Sequence, residues 1–173
     1  MDVEEAIRTQ RVVRRFSDRP ISDQQLKGIL NAGRRTGSSK NTQRWRFIVV
    51  RDRDRLGELV GVGPYAGHLA GASLAIALLT PSPEGSANSY MWDSGRAAQN
   101  MTLLAWSWGI GSVPATVYEQ DLCRGVLGYP DEWHCGYILS LGYPADAEDL
   151  TRPLRTGGRL SLPELVHEER WGD

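Results

Sequence analysis

Hydrophobic positions along the chain follow two different periods. After Ser22-Asp23-Gln24-Gln25, where a serine is followed three residues on by a glutamine, Leu26, Ile29 and Leu30 recur at three- and four-residue steps. That is the signature of a capped helix with one inward face. Val3 to Thr9 predicts a shorter helix before it, and Gly33 and Gly37 close the region. Phe47-Ile48-Val49-Val50 is a continuous apolar run that predicts a strand buried on both faces. A short helix is expected around Arg53 to Val60, then a glycine-rich turn. Leu74 to Leu79 predicts a second strand, stopped by Pro81 and Pro83.

The longest helical pattern runs from Tyr90 to Trp108. Ala97, Met101, Leu104, Ala105 and Trp108 share one face, while Met91, Leu103 and Trp106 make the other side apolar too. A helix apolar on most sides is buried in a core or against a second subunit. Gly109 ends it. Ser112 to Tyr118 reads as a strand or an extended loop broken by Pro114, Gln120 to Leu127 as a helix, and Tyr137 to Leu141 as a fourth strand. Ser161-Leu162-Pro163-Glu164 opens a last short helix or turn. The resulting order of helices and strands is that of an α+β or α/β layered domain.

Composition narrows the function classes. A chain of 173 residues fits one domain. Its net charge of −1, from 20 basic and 21 acidic residues, gives no basic excess for a nucleic-acid partner. Only Lys27 and Lys40 are lysines, so the positive charge is almost all arginine, which suits fixed bidentate anion recognition. The acidic start Met1 to Glu5 does not read as a signal peptide, and the apolar run Ala72 to Leu79 is too short to span a bilayer. Cys123 and Cys135 have no metal-ligand spacing and read as reduced core thiols of a cytoplasmic protein. His68, His134 and His167 are scattered, so neither a metal site nor a Cys–His nucleophile pair is expected.

Four stretches could carry chemistry. In Arg11-Val12-Val13-Arg14-Arg15 a helical turn would set Arg11 and Arg15 on one side, where two guanidinium forks could grip a phosphate. In Ser38-Ser39-Lys40-Asn41-Thr42-Gln43 the amides of Asn41 and Gln43 would point one way from an extended segment and match a mixed donor and acceptor edge. Gly109 to Thr116 joins a buried helix to a strand through small residues, which lets backbone approach a flat ligand. Arg159 follows two glycines and could bring a cation to a phosphate. Each has a plainer reading: a solvated basic face, a polar turn bonded to its own backbone, a helix cap, a surface arginine.

Taken together and in this order, the stretches resemble the nitroreductase family of FMN enzymes. The resemblance rests on Arg11 to Phe16, on Ser38-Ser39-Lys40-Asn41-Thr42-Gln43-Arg44-Trp45-Arg46-Phe47, on Asp93 to Gly111 with Gln99-Asn100 inside, on Leu141-Gly142-Tyr143-Pro144, and on the tail from Arg159 to Trp171. It implies a single domain over residues 1–173, an α+β fold in which a central, mostly antiparallel sheet lies in a three-layer α-β-α sandwich, and an intertwined homodimer with FMN at the interface. It also implies electron transfer from NADPH or NADH to small acceptors such as nitroaromatics, quinones or enones, by ping-pong hydride transfer through flavin N5. Neither nucleic acid nor membrane is an expected partner. By similarity Arg11 and Arg159 would hold the FMN phosphate, and Arg15 would lie toward the ribityl chain and pyrimidine edge. The backbone of Val12 and Val13 would pass the flavin. Ser38, Ser39 and Asn41, with Gln43 in the same loop, would reach the flavin of the other subunit. Pro114, Ala115 and Thr116, together with Val117, would lie against the ring, and Asp93 would touch the pyrimidine edge. No side chain is required as a catalytic acid.

This chain departs from the family pattern in three places. Arg44 stands where proline is usual, implying a looser loop and an added cation. Gly157 replaces a basic residue, implying a weaker phosphate clamp. The stretch Thr80 to Met91 is short, implying an open site with a relaxed substrate range. The resemblance also leaves open a specialised flavin dehydrogenase or flavin-cleaving enzyme of the same fold, and a flavin-binding protein without turnover.

Overall fold

The computed structural model describes residues 1–82, 87–153 and 158–171. Four strands form one sheet: β1 (Arg46–Val50), β2 (Leu74–Pro81), β3 (Gly111–Thr116) and β4 (Trp133–Gly142). They lie in the order β1-β2-β4-β3, and every pairing is antiparallel. The helices are α1 (Val3–Thr9), α2 (Asp23–Arg34), α3 (Arg53–Glu58), α4 (Ala87–Ser107), α5 (Gln120–Leu127) and α6 (Leu162–Leu165), with short 3-10 turns between several of them.

The three layers follow from side-chain alternation along the central strands. On β2, Leu74, Ile76 and Leu78 join Leu139 and Leu141 of β4 in packing with Ile29 of α2 and Met101 and Ala105 of α4. Ala75, Ala77 and Leu79 face the other way, with Ile138, against Leu56 of α3, Leu59, Val62 and Cys123 of α5. A strand covered on both faces has no reason to alternate in polarity, which is why β2 reads as unbroken apolar sequence. β1 differs from its sequence reading. Among the described residues its only neighbour is β2, so it is an edge strand in which Val50 is buried and Phe47, Ile48 and Val49 are half-buried.

Local chemistry sets the element ends. Ser22 and Gln25 form the reciprocal capping box of α2, and Ser161 and Glu164 do the same for α6. α4 closes through Gly109 at φ +73°: the Gly109 N–H bonds the Trp106 carbonyl at 2.9 Å and the Ile110 N–H bonds that of Ala105 at 3.0 Å. That turn feeds the chain into β3. Pro114 is tolerated there because β3 ends the sheet, and among the described residues its outer edge carries only a single bridge, from Ser112 to Val12. On β4, Leu78 pairs with Tyr137 and Leu79 with Cys135, so Gly136 is a bulge residue, and its carbonyl accepts the Val117 N–H at 3.1 Å. Both cysteines are buried free thiols. Among the described residues no helix is long and apolar enough to cross a membrane.

Candidate functional site

Residues 11–17 are extended, not helical. Val12 forms a parallel bridge with Ser112 and Phe16 an antiparallel bridge with Pro144. The Val13 N–H bonds the Ser112 carbonyl at 3.2 Å, the Ala145 N–H bonds that of Arg15 at 3.0 Å, and the Ser17 N–H bonds that of Tyr143 at 2.8 Å. Arg11 and Arg15 are therefore separated by about 13 Å of extended backbone, not by one helical turn. The pairing partners lie some hundred residues away, and local spacing carries no trace of them. Gly111 makes the close approach possible, since a Cβ there would sit 2.5 Å from Val13 Cβ. The first group of expected site residues is thus gathered: Arg11, Val12, Val13 and Arg15 beside Ser112 and the strand carrying Pro114, Ala115 and Thr116. Val12, Arg15, Pro114 and Thr116 are exposed, while Val13 and Ala115 are buried. Arg11 donates to the carbonyls of Arg8 (3.2 Å), Gln10 (3.0 Å) and Arg152 (3.4 Å), which ties the end of α1 to the C-terminal part of the chain.

The second group forms around Asp93. Ser38 to Gln43 is not extended: Ser39–Asn41 is a 3-10 turn, and Lys40, Asn41 and Gln43 have φ of 51°, 54° and 48°. Left-handed backbone at non-glycine positions costs on the order of 1 kcal/mol or more each and persists only where the surroundings enforce it. Part of the enforcement is internal, with Ser38 Oγ accepting the Gln43 N–H at 2.9 Å and Gln43 Nε2 donating to the Asn41 carbonyl at 3.3 Å. The rest comes from α4. The buried Asp93 carboxylate accepts the Ser39 N–H at 3.0 Å, Arg96 donates to the Gly37 carbonyl at 3.1 Å, and Asn100 donates to Thr36 Oγ1 at 2.7 Å. Arg44, expected to loosen this loop, fastens it: its guanidinium donates to Tyr90 Oη at 2.9 Å and lies 5.3 Å from the ring centre. Asp93→Ala should cost about 1.5–3 kcal/mol, the value of a hydrogen bond to a charged acceptor, read as a lower urea midpoint. An unchanged midpoint would mean that the loop holds itself.

Within one chain the loop and Pro114 lie on different flanks of α4. Successive residues of α4 advance by about 100°. Asp93, Arg96 and Asn100 therefore share one flank, and Met91, Gly95 and Ala98 lie on the roughly opposite one. The loop Ser38–Gln43 sits on the first flank. On the second lies a cavity of about 220 Å³ between α4 and the sheet, lined by Met91, Ala98, Leu78, Leu139, Pro114 and His134 among others. Among the described residues its lining is mostly apolar and contains no carboxylate, lysine or arginine. His134 is half-buried, and its pKa is lowered by burial first and by the Arg124 guanidinium second, so the imidazole is neutral at pH 7. β4 begins at Trp133, four residues before the strand that the apolar run Tyr137 to Leu141 predicts, and this places His134 on the sheet.

Arg159 follows Gly158 at φ +53° and is exposed; among the described residues it makes no hydrogen bond or ion pair. Gly157 lies outside the described residues. Among the described residues no three of the His, Cys, Asp or Glu side chains group as metal ligands.

Comparison with known proteins places this architecture. The profile of the Nitroreductase family matches residues 7–65 and 61–143. A provisionally named NADH dehydrogenase/NAD(P)H nitroreductase of Archaeoglobus fulgidus is 37% identical over 172 residues, covering 95% of this chain and 96% of the relative. The NADPH-flavin oxidoreductase of Vibrio harveyi is 28% identical, covering 96% of this chain and 73% of its own length. Among solved structures, a protein of Parabacteroides distasonis superposes with a TM-score of 0.84 at 27% identity, covering 97% of this chain and 98% of that one. The Vibrio harveyi NADPH:FMN oxidoreductase, solved with NAD+, has the same fold at a TM-score of 0.85 and 24% identity, over 98% of this chain and 78% of that one.

Proposed function

The chain belongs to the nitroreductase family, and from that premise we propose that it is an FMN-dependent oxidoreductase that draws electrons from NADPH or NADH and passes them to small acceptors such as nitroaromatics, quinones or enones. It acts as one flavin-binding domain over residues 1–173, in the cytoplasm, as a homodimer. Family membership makes it an NAD(P)H-dependent flavin oxidoreductase. The acceptors, the ping-pong order and the assembly are this reading's own.

The observation that carries it is the pairing of Arg11–Arg15 with the start of β3. It sets the half-buried Arg11 guanidinium and the exposed side chains of Val12 and Arg15 beside the strand that carries the exposed Pro114, a set of cations and apolar surface that fits a phosphorylated tricyclic ring. Arg11 and Arg159 hold the phosphate as charge-assisted donors. Val12 and Val13 offer backbone to the ring. Arg15 would lie toward the ribityl chain and pyrimidine edge, where a fixed cation would favour electron uptake by the ring. Pro114, Ala115 and Thr116 form the wall behind it. FMN when bound supplies the two-electron chemistry, accepting hydride at N5. Ser38, Ser39, Asn41 and Gln43, steadied by Asp93, serve the site of the partner subunit. Support for that division comes from α4, whose opposite flanks keep the loop and Pro114 of one chain apart.

The purified protein should carry flavin absorption bands that NADPH or NADH bleaches under anaerobic conditions. A protein that stays colourless after addition of FMN would overturn the cofactor. A yellow protein that both nicotinamides leave oxidised would leave a flavin binder without turnover.

A further inference from the structure

A second, more polar depression of about 710 Å³ is walled by α2, by Arg19 with Tyr143, and by Trp108 just past the end of α4. On α2 its lining is one stripe at three- and four-residue steps, Gln24, Lys27, Gly28 and Asn31. Gly28 lets the indole close on the helix, since a Cβ there would lie 2.5 Å from Trp108 Cη2. Trp108 still keeps 40% of its surface exposed. Arg19 stands on a chain of supports. Its guanidinium carbon lies 3.8 Å from the centre of the Tyr143 ring, and Gln25 Nε2 donates to Tyr143 Oη at 2.7 Å. Gln25 Oε1 in turn accepts from the N–H and the hydroxyl of Ser22, both at 3.1 Å. A guanidinium over a ring keeps the N–H donors that lie in its own plane for another partner. The carboxylate one turn before Lys27, that of Asp23, is engaged by Arg51 at 2.8 Å. Among the described residues neither Arg19 nor Lys27 forms a hydrogen bond or ion pair.

We infer that this depression binds a phosphomonoester carried on an aromatic group, with the phosphate between Arg19 and Lys27 and the ring against Trp108. Two cations lining one space match a phosphate dianion better than a carboxylate of single charge. The supported fork of Arg19 suits two phosphate oxygens at once, and the Lys27 ammonium adds a point charge. Asn31 Oδ1 accepts from Arg34 Nε at 3.1 Å, which leaves the Asn31 amide nitrogen as a further donor. The exposed indole offers a flat surface on which a purine can stack. The volume lies within the roughly 300–1,000 Å³ of sites that take a whole small ligand, so it admits a mononucleotide. The site shares no residue with the one proposed for FMN and does not depend on it.

Adenosine 5′-monophosphate, adenosine and inorganic phosphate, each titrated calorimetrically into the protein as purified, test this. The monophosphate should bind, and adenosine and phosphate should each bind at least about tenfold more weakly, because each lacks one of the two contacts. Arg19→Gln and Lys27→Gln, both at exposed positions, should each weaken the monophosphate about tenfold, the range of one charge-assisted hydrogen bond. Trp108→Leu should weaken it about five- to tenfold through lost stacking and leave phosphate within about twofold. Arg11→Ala, altered in the proposed flavin site, should leave the affinity for the monophosphate unchanged. The inference is overturned if the monophosphate does not bind, if phosphate or adenosine binds as tightly, or if its affinity does not move in Arg19→Gln or in Trp108→Leu. A loss confined to Arg11→Ala also overturns it, since the nucleotide would then be entering the flavin site. Failure of the flavin reading shows separately, as a protein that stays colourless after addition of FMN.

Discussion

Arg11→Ala is expected to weaken FMN binding about 10- to 100-fold, the effect of losing a charge-assisted hydrogen bond worth about 1.5–3 kcal/mol. The magnitude comes from what the guanidinium does without a ligand. It sits half-buried against three backbone carbonyls, those of Arg8, Gln10 and Arg152. These fix its position at the end of α1, so in the proposed site a phosphate would meet a cation already in place. Titrating the apoprotein with FMN and following flavin fluorescence gives the comparison, and Arg11→Lys should recover only part of the loss because one ammonium cannot reproduce the planar fork. The same carbonyl contacts predict a small drop in the stability of the ligand-free protein. If the affinity does not move while stability falls, Arg11 is a tie between α1 and the C-terminal region and the phosphate is held elsewhere.

Gly111→Ala should lower stability by about 2–3 kcal/mol, within the range for forcing an extra methyl into a packed core, or about 5–10 °C in Tm for a chain of this size. The new Cβ would lie 2.5 Å from both Cβ and Cγ2 of Val13 and 3.0 Å from its Cγ1. Val13 is fully buried and its backbone is bonded to Ser112, so it cannot swing away without unzipping residues 12–13 from β3. Flavin binding should fall with it, since that zipper carries the proposed site. Val13→Ala removes both methyl groups but leaves the Cβ of residue 13, itself 2.5 Å from the new Cβ, so the double variant should recover only part of the loss relative to the sum of the single effects. Gly57→Ala, in α3 with nothing within 4 Å of the new Cβ, serves as the reference and should be neutral or slightly stabilising. Equal melting temperatures for Gly111→Ala and the parent chain would refute the contact.

What the sequence discloses about this protein is local. The caps at Ser22 and Ser161, the ends of α4 and α5, and the doubly covered strand β2 are legible because a helix N-terminus, a left-handed glycine and a buried run each leave a mark within a few residues. β1 carries the same mark as β2 and is nonetheless an edge strand, since a run of four apolar residues records hydrophobicity and not the number of neighbours. The site is harder. Residues 11–16 gave two arginines four apart, and spacing alone could not say that the segment is extended, because its partners are Ser112 and Pro144. Asn41 and Gln43 are two amides two apart, and the left-handed turn that separates their directions is held by bonds within the loop together with Asp93 of α4. Arg44 read as a lost proline and hence a lost constraint; its bond to Tyr90 replaces stiffness of the backbone with a tether to a helix. In each case the residue was identified and its geometry was not, because the geometry belongs to a distant contact.

The opposed flanks of α4 have a genetic consequence. In the proposed pair, every pocket draws its Arg11 side from one polypeptide and its Asp93 side from the other. Two inactive alleles, one lacking Arg11 and one lacking Asp93, would thus concentrate both lesions in a single pocket of a mixed pair and leave the second pocket intact. Co-expression would rescue what neither allele supports alone.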